Sequence, residues 1–185
     1  MIALLIAIGV VIVIGLILVG IYNGMVRARN KVDEAWSGID VQLKRRHDLV
    51  PNLVETVKGY AAHEREVLTA VTEARARAQA ASTPGQASAA EGQLGQALGR
   101  LFAVAEAYPD LKASENFRQL QGELSSLESE IAAARRVYNG NVQDYNTRIQ
   151  TFPAVVFSGM FGFTQREFFE IEDAAERDVP DVSFS

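Results

Sequence analysis

Cysteine is absent from these 185 residues, histidine occurs twice, and no charged side chain lies between Ile2 and Tyr22. The first absence removes disulfides, thiolate metal sites and a cysteine nucleophile together, and it fits a cytoplasmic domain. The histidines are His47 and His63. His63-Glu64 begins as a zincin helix does, but Val67 stands where the second histidine belongs. Both histidines read as ordinary surface or flanking residues. No GxxxxGK phosphate loop is present, and Ser158-Gly159 lacks the G-x-S-x-G turn. Carboxylates alternate with arginine on helix faces, as in Glu64-Arg65-Glu66, and solvated i,i+4 pairs account for them. A net charge of −5 argues against nucleic acid as a partner. The expectation is a protein with no catalytic residues, no metal and no cofactor.

What the chain does have is a long apolar opening. Fifteen of the 21 residues from Ile2 to Tyr22 are Ile, Leu or Val. As a helix that stretch rises about 30 Å, the thickness of a bilayer's hydrocarbon core. The aliphatics alone favour insertion by about 4–9 kcal/mol. A cleaved secretory signal is the rival reading. Against it stand the missing basic n-region, the length of the run and the lack of a small-x-small site after Tyr22. Residues 1–24 are therefore expected to be a retained anchor in the lipid bilayer. Arg27, Arg29 and Lys31 follow its exit, with Lys44, Arg45 and Arg46 further on. The positive-inside bias then puts the N-terminus outside and the larger domain in the cytoplasm. Ala3/Ala7 and Gly20/Gly24 are small-xxx-small pairs that would let two anchors approach.

From Val32 the apolar positions step at helical spacing through Trp36, Ile39, Leu43, Val50, Leu53, Val57 and Tyr60 to Val71, with Arg46 and Glu64 as polar intrusions. The pattern predicts a helix over 25–81, with a kink or break possible at 48–51 around Pro51. Ser82-Thr83-Pro84-Gly85 is a clean stop. Thr83, Pro84 and Gln86 resemble the N-cap, N1 and N3 of a second helix, over 85–107. A third, over 112–151, carries Phe117, Leu120, Leu124, Leu127, Ile131 and Ala134, stutters at Tyr138 and Val142, and resumes with Tyr145, Ile149 and Phe152. The fold class is all-α: a transmembrane helix continuing into an antiparallel three- to four-helix, coiled-coil-like bundle over 25–152. A first helix about 90 Å long would outrun a second of about 35 Å. The stripe Val32, Trp36, Ile39 and Leu43 would then lack cover in its own chain, which makes it a candidate interface for a homo-oligomer.

Residues 153–185 change character. Phe152 to Phe163 is apolar, rich in Phe and Gly, and too short to span a bilayer. It reads as a loop folded back over the core, or as an interfacial or partner-binding patch with Phe157 and Phe161 as contacts. Phe168, Phe169 and Ile171 would dock a short helix, and an acidic end follows Pro180. Lys44-Arg45-Arg46 is a candidate patch for an anionic partner, with a solvated face as the plainer alternative.

Several strings go beyond generic helix. They are Tyr22-Asn23, Ala35-Trp36-Ser37, the run Ile39-Asp40-Val41-Gln42-Leu43-Lys44-Arg45-Arg46, Pro51-Asn52-Leu53, Tyr108-Pro109, Asn116-Phe117, Tyr138-Asn139 and Tyr145-Asn146. In this order they are similar to the LemA family, across nearly the whole chain. The resemblance implies a single-span bacterial inner-membrane protein with its helical domain in the cytoplasm and no enzymatic activity. One branch of that family is linked to membrane compartments in magnetosome-forming bacteria. The expected function is a self-associating, non-enzymatic scaffold that organises membrane or recruits proteins, a membrane protein partner among them. The alternative is an adaptor for a membrane protease or quality-control system.

Overall fold

The computed structural model describes residues 1–170; Ile171 and the acidic end beyond Pro180 lie outside the described residues. Within them the chain forms six helices and no strand: α1 Ile2–Lys58, α2 Arg65–Ala80, α3 Pro84–Ala105, α4 Pro109–Ala113, α5 Glu115–Gln150 and α6 Val155–Ser158. The all-α class is observed. The chain divides into two compact units, one of Met1–Ile39 with Ala134–Glu167, the other of Asp40–Ala133 with the residues from Phe168.

In the second unit one core joins parts of five helices. Val50, Leu53 and Val57 of α1 meet Leu68, Val71, Ala74 and Ala78 of α2 and Leu94, Leu98 and Leu101 of α3, with Leu111, Phe117 and Leu124 completing it. α2 and α3 form a hairpin across a short connection. Its turn chemistry is local: Thr83 Oγ1 accepts from the Gln86 N–H at 3.2 Å, and Pro84 opens α3. Gln86 reaches back to accept from the Ser82 N–H at 3.1 Å. The two side chains thus serve donors that the helix start leaves orphaned.

The first long helix differs from the expected 25–81. It crosses Pro51 without a break, ends at Lys58, and the chain resumes helix at Arg65. A proline lacks the N–H that would serve the carbonyl four residues earlier. That carbonyl is His47's, and Arg75 Nε from α2 donates to it at 2.6 Å. The orphan acceptor is satisfied from a neighbouring helix, so the rod persists. The break comes at Gly59 instead, where helix propensity falls by about 1 kcal/mol relative to Ala. The Val57 carbonyl then accepts from both Tyr60 and Ala61. Ala61 is buried in the turn, which brings the apolar face of α2 onto that of α1.

In the first unit α1 is fully apolar to Ile21 and carries a one-sided stripe afterwards. Met25, Val32 and Ile39 are buried, as are Tyr138, Val142, Tyr145 and Ile149 of α5. The Trp36 and Tyr138 rings lie 5.4 Å apart, and Asn141 Nδ2 donates to the Lys31 carbonyl at 3.2 Å. α5 stays helical through the stutter, with Tyr138 and Val142 both inside. Phe152, expected to continue the stripe, lies beyond the helix end and is 83% exposed.

The Arg75–His47 bond makes a specific claim about Pro51. Arg75→Leu is expected to cost about 1.5–3 kcal/mol, the range for a hydrogen bond from a charged donor. In a Pro51→Ala background the alanine N–H serves the same carbonyl, so the loss should shrink markedly. Urea unfolding of the detergent-solubilised chain measures both, and equal costs in the two backgrounds would refute the account.

Candidate functional site

The site begins where the apolar rod ends. Tyr22, immediately after Ile21 at the end of the apolar run, sets its ring edge-on to Phe161 at 5.2 Å and Phe163 at 5.7 Å. Both belong to the segment that follows α5. The Arg29 guanidinium stands 5.3 Å from the Phe163 ring centroid, a cation–π placement. Gly162, at φ +71°, takes a backbone conformation that side chains disfavour. That turn lets Phe163 enter the core while Phe161 stays outside.

The returning segment is held by its backbone. Tyr145 Oη donates to the Thr164 carbonyl at 2.9 Å, and Tyr138 Oη to the Glu167 carbonyl at 2.8 Å. Asn146 pairs with Arg166 in both directions: its Nδ2 donates to the Arg166 carbonyl at 3.0 Å, and the Arg166 N–H donates to its Oδ1 at 2.9 Å. The Arg166 guanidinium closes on Asp33 at 2.9 Å. Burial pushes the Tyr138 phenol up to about 12, with Arg166 partly opposing. The Tyr145 phenol is raised too, first by burial.

So pinned, the segment shows two faces. Ala154, Ser158 and Phe163 are buried and Phe157 is half-buried. Phe152, Val155, Val156, Met160 and Phe161 are exposed. These exposed apolar side chains share one segment, beside Tyr22 at the end of the apolar run. Phe169 is also buried, but the chain at Phe168 and Phe169 is not helical.

The interface assigned to Val32, Trp36, Ile39 and Leu43 requires correction. Val32, Ile39 and Leu43 are buried within their own chain, and Trp36 is half-buried with its ring on Tyr138. The argument for self-association through this stripe loses its premise.

The basic triplet is divided as well. Lys44 and Arg45 are exposed, and Arg45 Nη1 contacts Gln42 at 3.0 Å and Glu130 at 3.1 Å. Arg46 points inward at 2% exposure, bonding Glu91 through Nη1 at 3.2 Å and Glu128 through Nη2 at 2.5 Å. Glu91, 1% exposed, also meets His47 Nε2 at 2.5 Å. His47 is therefore buried rather than a surface residue. A Cβ at Gly95 of α3 would meet Arg46 Nη2 at 3.6 Å, an ordinary van der Waals contact. The cluster is closed to solvent at its centre and ties α1 to α3 within the second unit. Among the described residues no group of three or more acidic or histidine side chains is placed to hold a metal.

Sequence reasoning missed this cluster, although a signal was there. Arg46 interrupts the α1 stripe, and Glu91 lies one turn before Leu94 on the α3 stripe. Opposite charges at two core positions call for each other. Similarly, Tyr138 and Tyr145 sit seven apart on a buried stripe, where a hydroxyl needs a partner.

These features define a membrane-associated, all-helical protein: α1 is long and apolar enough to cross a membrane, and its apolar window is entirely unburied. The LemA family pattern matches residues 35–184, beginning past the apolar run. The chain belongs to the LemA family. It is 33% identical to Protein LemA of Metamycoplasma hominis, over 72% of this chain and 62% of the relative. It is 26% identical to magnetosome protein MamQ 2 of Paramagnetospirillum magneticum and 24% to magnetosome protein MamQ of Magnetospirillum gryphiswaldense, in each case over 85% of this chain and 68% of the relative.

Two consequences are measurable. Glu91→Ala leaves the Arg46 guanidinium buried with only the half-exposed Glu128 as partner, and a broken buried pair costs about 3–5 kcal/mol. Chemical unfolding of the solubilised chain should show that loss; a cost below that of a surface substitution would contradict it. The phenols set an alkaline limit. Between pH 10 and about 12 the unfolded Tyr138 ionises while the folded one keeps its proton. Stability is thus intact below pH 10 and falls as pH rises through that window. Tyr138→Phe should flatten the fall, leaving the Tyr145 share; an unchanged slope would show that another group controls it.

Proposed function

We propose that this chain is a single-span scaffold of the bacterial inner membrane, with its N-terminus outside and its helical units in the cytoplasm. It carries no chemistry of its own and organises membrane or recruits proteins at the cytoplasmic face. The supporting observation is the ordered apolar patch of Val155, Val156, Met160 and Phe161 beside the helix exit at Tyr22. Such a surface, held by hydrogen bonds rather than left loose, offers a docking face at membrane level. Arg27, Arg29 and Lys31 after the apolar run support the orientation. Kinship with proteins named for the magnetosome supports a part in membrane organisation.

In this reading the patch, not the buried Trp36 stripe, gathers neighbours, copies of the chain among them. An adaptor for a membrane protease or quality-control system would use the same face on a different client. Val156→Ser combined with Met160→Ser tests the patch without touching the pinned segment. Crosslinking in intact membranes should lose the adducts of the parent chain, homo-oligomers or partners alike. The anchored, folded protein should remain at normal abundance. An unchanged crosslinking pattern would remove the patch as docking face. The mass of any adduct lost distinguishes scaffold from adaptor.

A further inference from the structure

Behind the apolar patch, within the first unit, a cleft of about 860 Å³ opens between α1 and the end of α5. Its lining changes polarity along its length. Ile21, Phe152 and Pro153 form one end, level with the last residues of the apolar run. Arg27, Lys31 and Arg148 line the rest, with Asp144 the one carboxylate in the wall. Ile21 and Lys31 are about 15 Å apart along the helix, so the gradient runs from bilayer to cytoplasm. Among the described residues none of the three cations has an ion-pair partner. Gly24 shapes the wall: it is buried, and a Cβ there would come within 2.9 Å of Arg148 Nη1. A glycine at this turn leaves room for the guanidinium of Arg148, itself exposed to solvent, to lie against α1 at the cleft wall.

The geometry points to a binding site for the phosphate of an anionic glycerophospholipid in the cytoplasmic leaflet. Arg27, Lys31 and Arg148 take the headgroup, and an acyl chain leaves past Ile21 and Phe152. The polarity of the cleft matches that of the ligand end for end. Two arginines and a lysine suit a phosphate diester, since guanidinium donates to two oxygens at once. Three cations against one carboxylate also attract the anionic leaflet. A free phosphate would use the basic end alone and leave the apolar end wet. This assignment rests on the anchored reading above, because only an inserted α1 brings the mouth to the bilayer.

The full chain in nanodiscs of phosphatidylcholine, or of equal parts phosphatidylcholine and phosphatidylglycerol, provides the test. After mild detergent extraction, native mass spectrometry counts retained lipid. The parent chain should retain phosphatidylglycerol in preference to phosphatidylcholine. Arg148→Gln and Lys31→Gln should each lower that retention by about tenfold, as loss of a charge-assisted contact implies. Arg136→Gln, an exposed change outside the cleft, should not. Trp36 fluorescence reports whether each variant keeps the fold of this unit. Equal retention of the two lipids, or indifference to both cleft substitutions, would overturn the site. Displacement of bound lipid by millimolar glycerol phosphate would mark a soluble phosphate ligand and overturn the lipid assignment. A chain that stays out of the discs would overturn the anchoring first, and the lipid site with it.

Discussion

A helix that leaves a bilayer changes solvent within one turn, and its side chains must change with it. Up to Ile21 α1 is apolar on every side, as a rod surrounded by lipid must be. From Met25 onward only a stripe is apolar, through Val32 and Ile39, and that stripe is buried. The rest of the first unit follows from that requirement. Two buried tyrosines and an asparagine of α5 hold a segment whose phenylalanines close over Tyr22 and Arg29. The apolar surface that remains open is concentrated beside the exit rather than along the helix.

Polar groups inside the second unit obey the complementary rule that a buried donor or acceptor needs a partner. Pro51 orphans the His47 carbonyl, and Arg75 answers it. Arg46 on the α1 stripe would be costly alone; Glu91 on the α3 stripe answers it, with His47 alongside. Arg46 Nε is left without a hydrogen bond, so the cluster is close to satisfied rather than ideal. Such pairs add little net stability over an apolar core, but they penalise any register that separates them.

The sequence made some of this legible and hid the rest for physical reasons. Periodicity located the stripes of α1, α3 and α5, because burial acts residue by residue and leaves a 3.6-residue mark. Thr83, Pro84 and Gln86 announced the start of α3, since capping is local chemistry. The helix end at Lys58 was misplaced because Pro51 is the stronger local breaker, and its rescue by Arg75 is a contact 28 residues away. The stripe Val32–Leu43 was taken for an interface on the assumption of a rod continuing to residue 81. Reversal at Gly59 undid that length argument. The cleft of Arg27, Lys31 and Arg148 had no signature at all, because its walls come from segments more than a hundred residues apart.

Apart from the Arg166–Asp33 pair, the hydrogen bonds from α5 that secure the returning segment end on main-chain atoms: the carbonyls of Thr164, Arg166 and Glu167 and the amide of Arg166. Main-chain acceptors are indifferent to the side chains they carry. Those bonds therefore do not depend on which side chains Thr164 and Glu167 carry, whereas Gly162, Phe163 and Arg166 are tied to the turn, the core and Asp33. The attachment is thus written partly in backbone geometry, which substitution cannot erase, and partly in three particular residues, which it can.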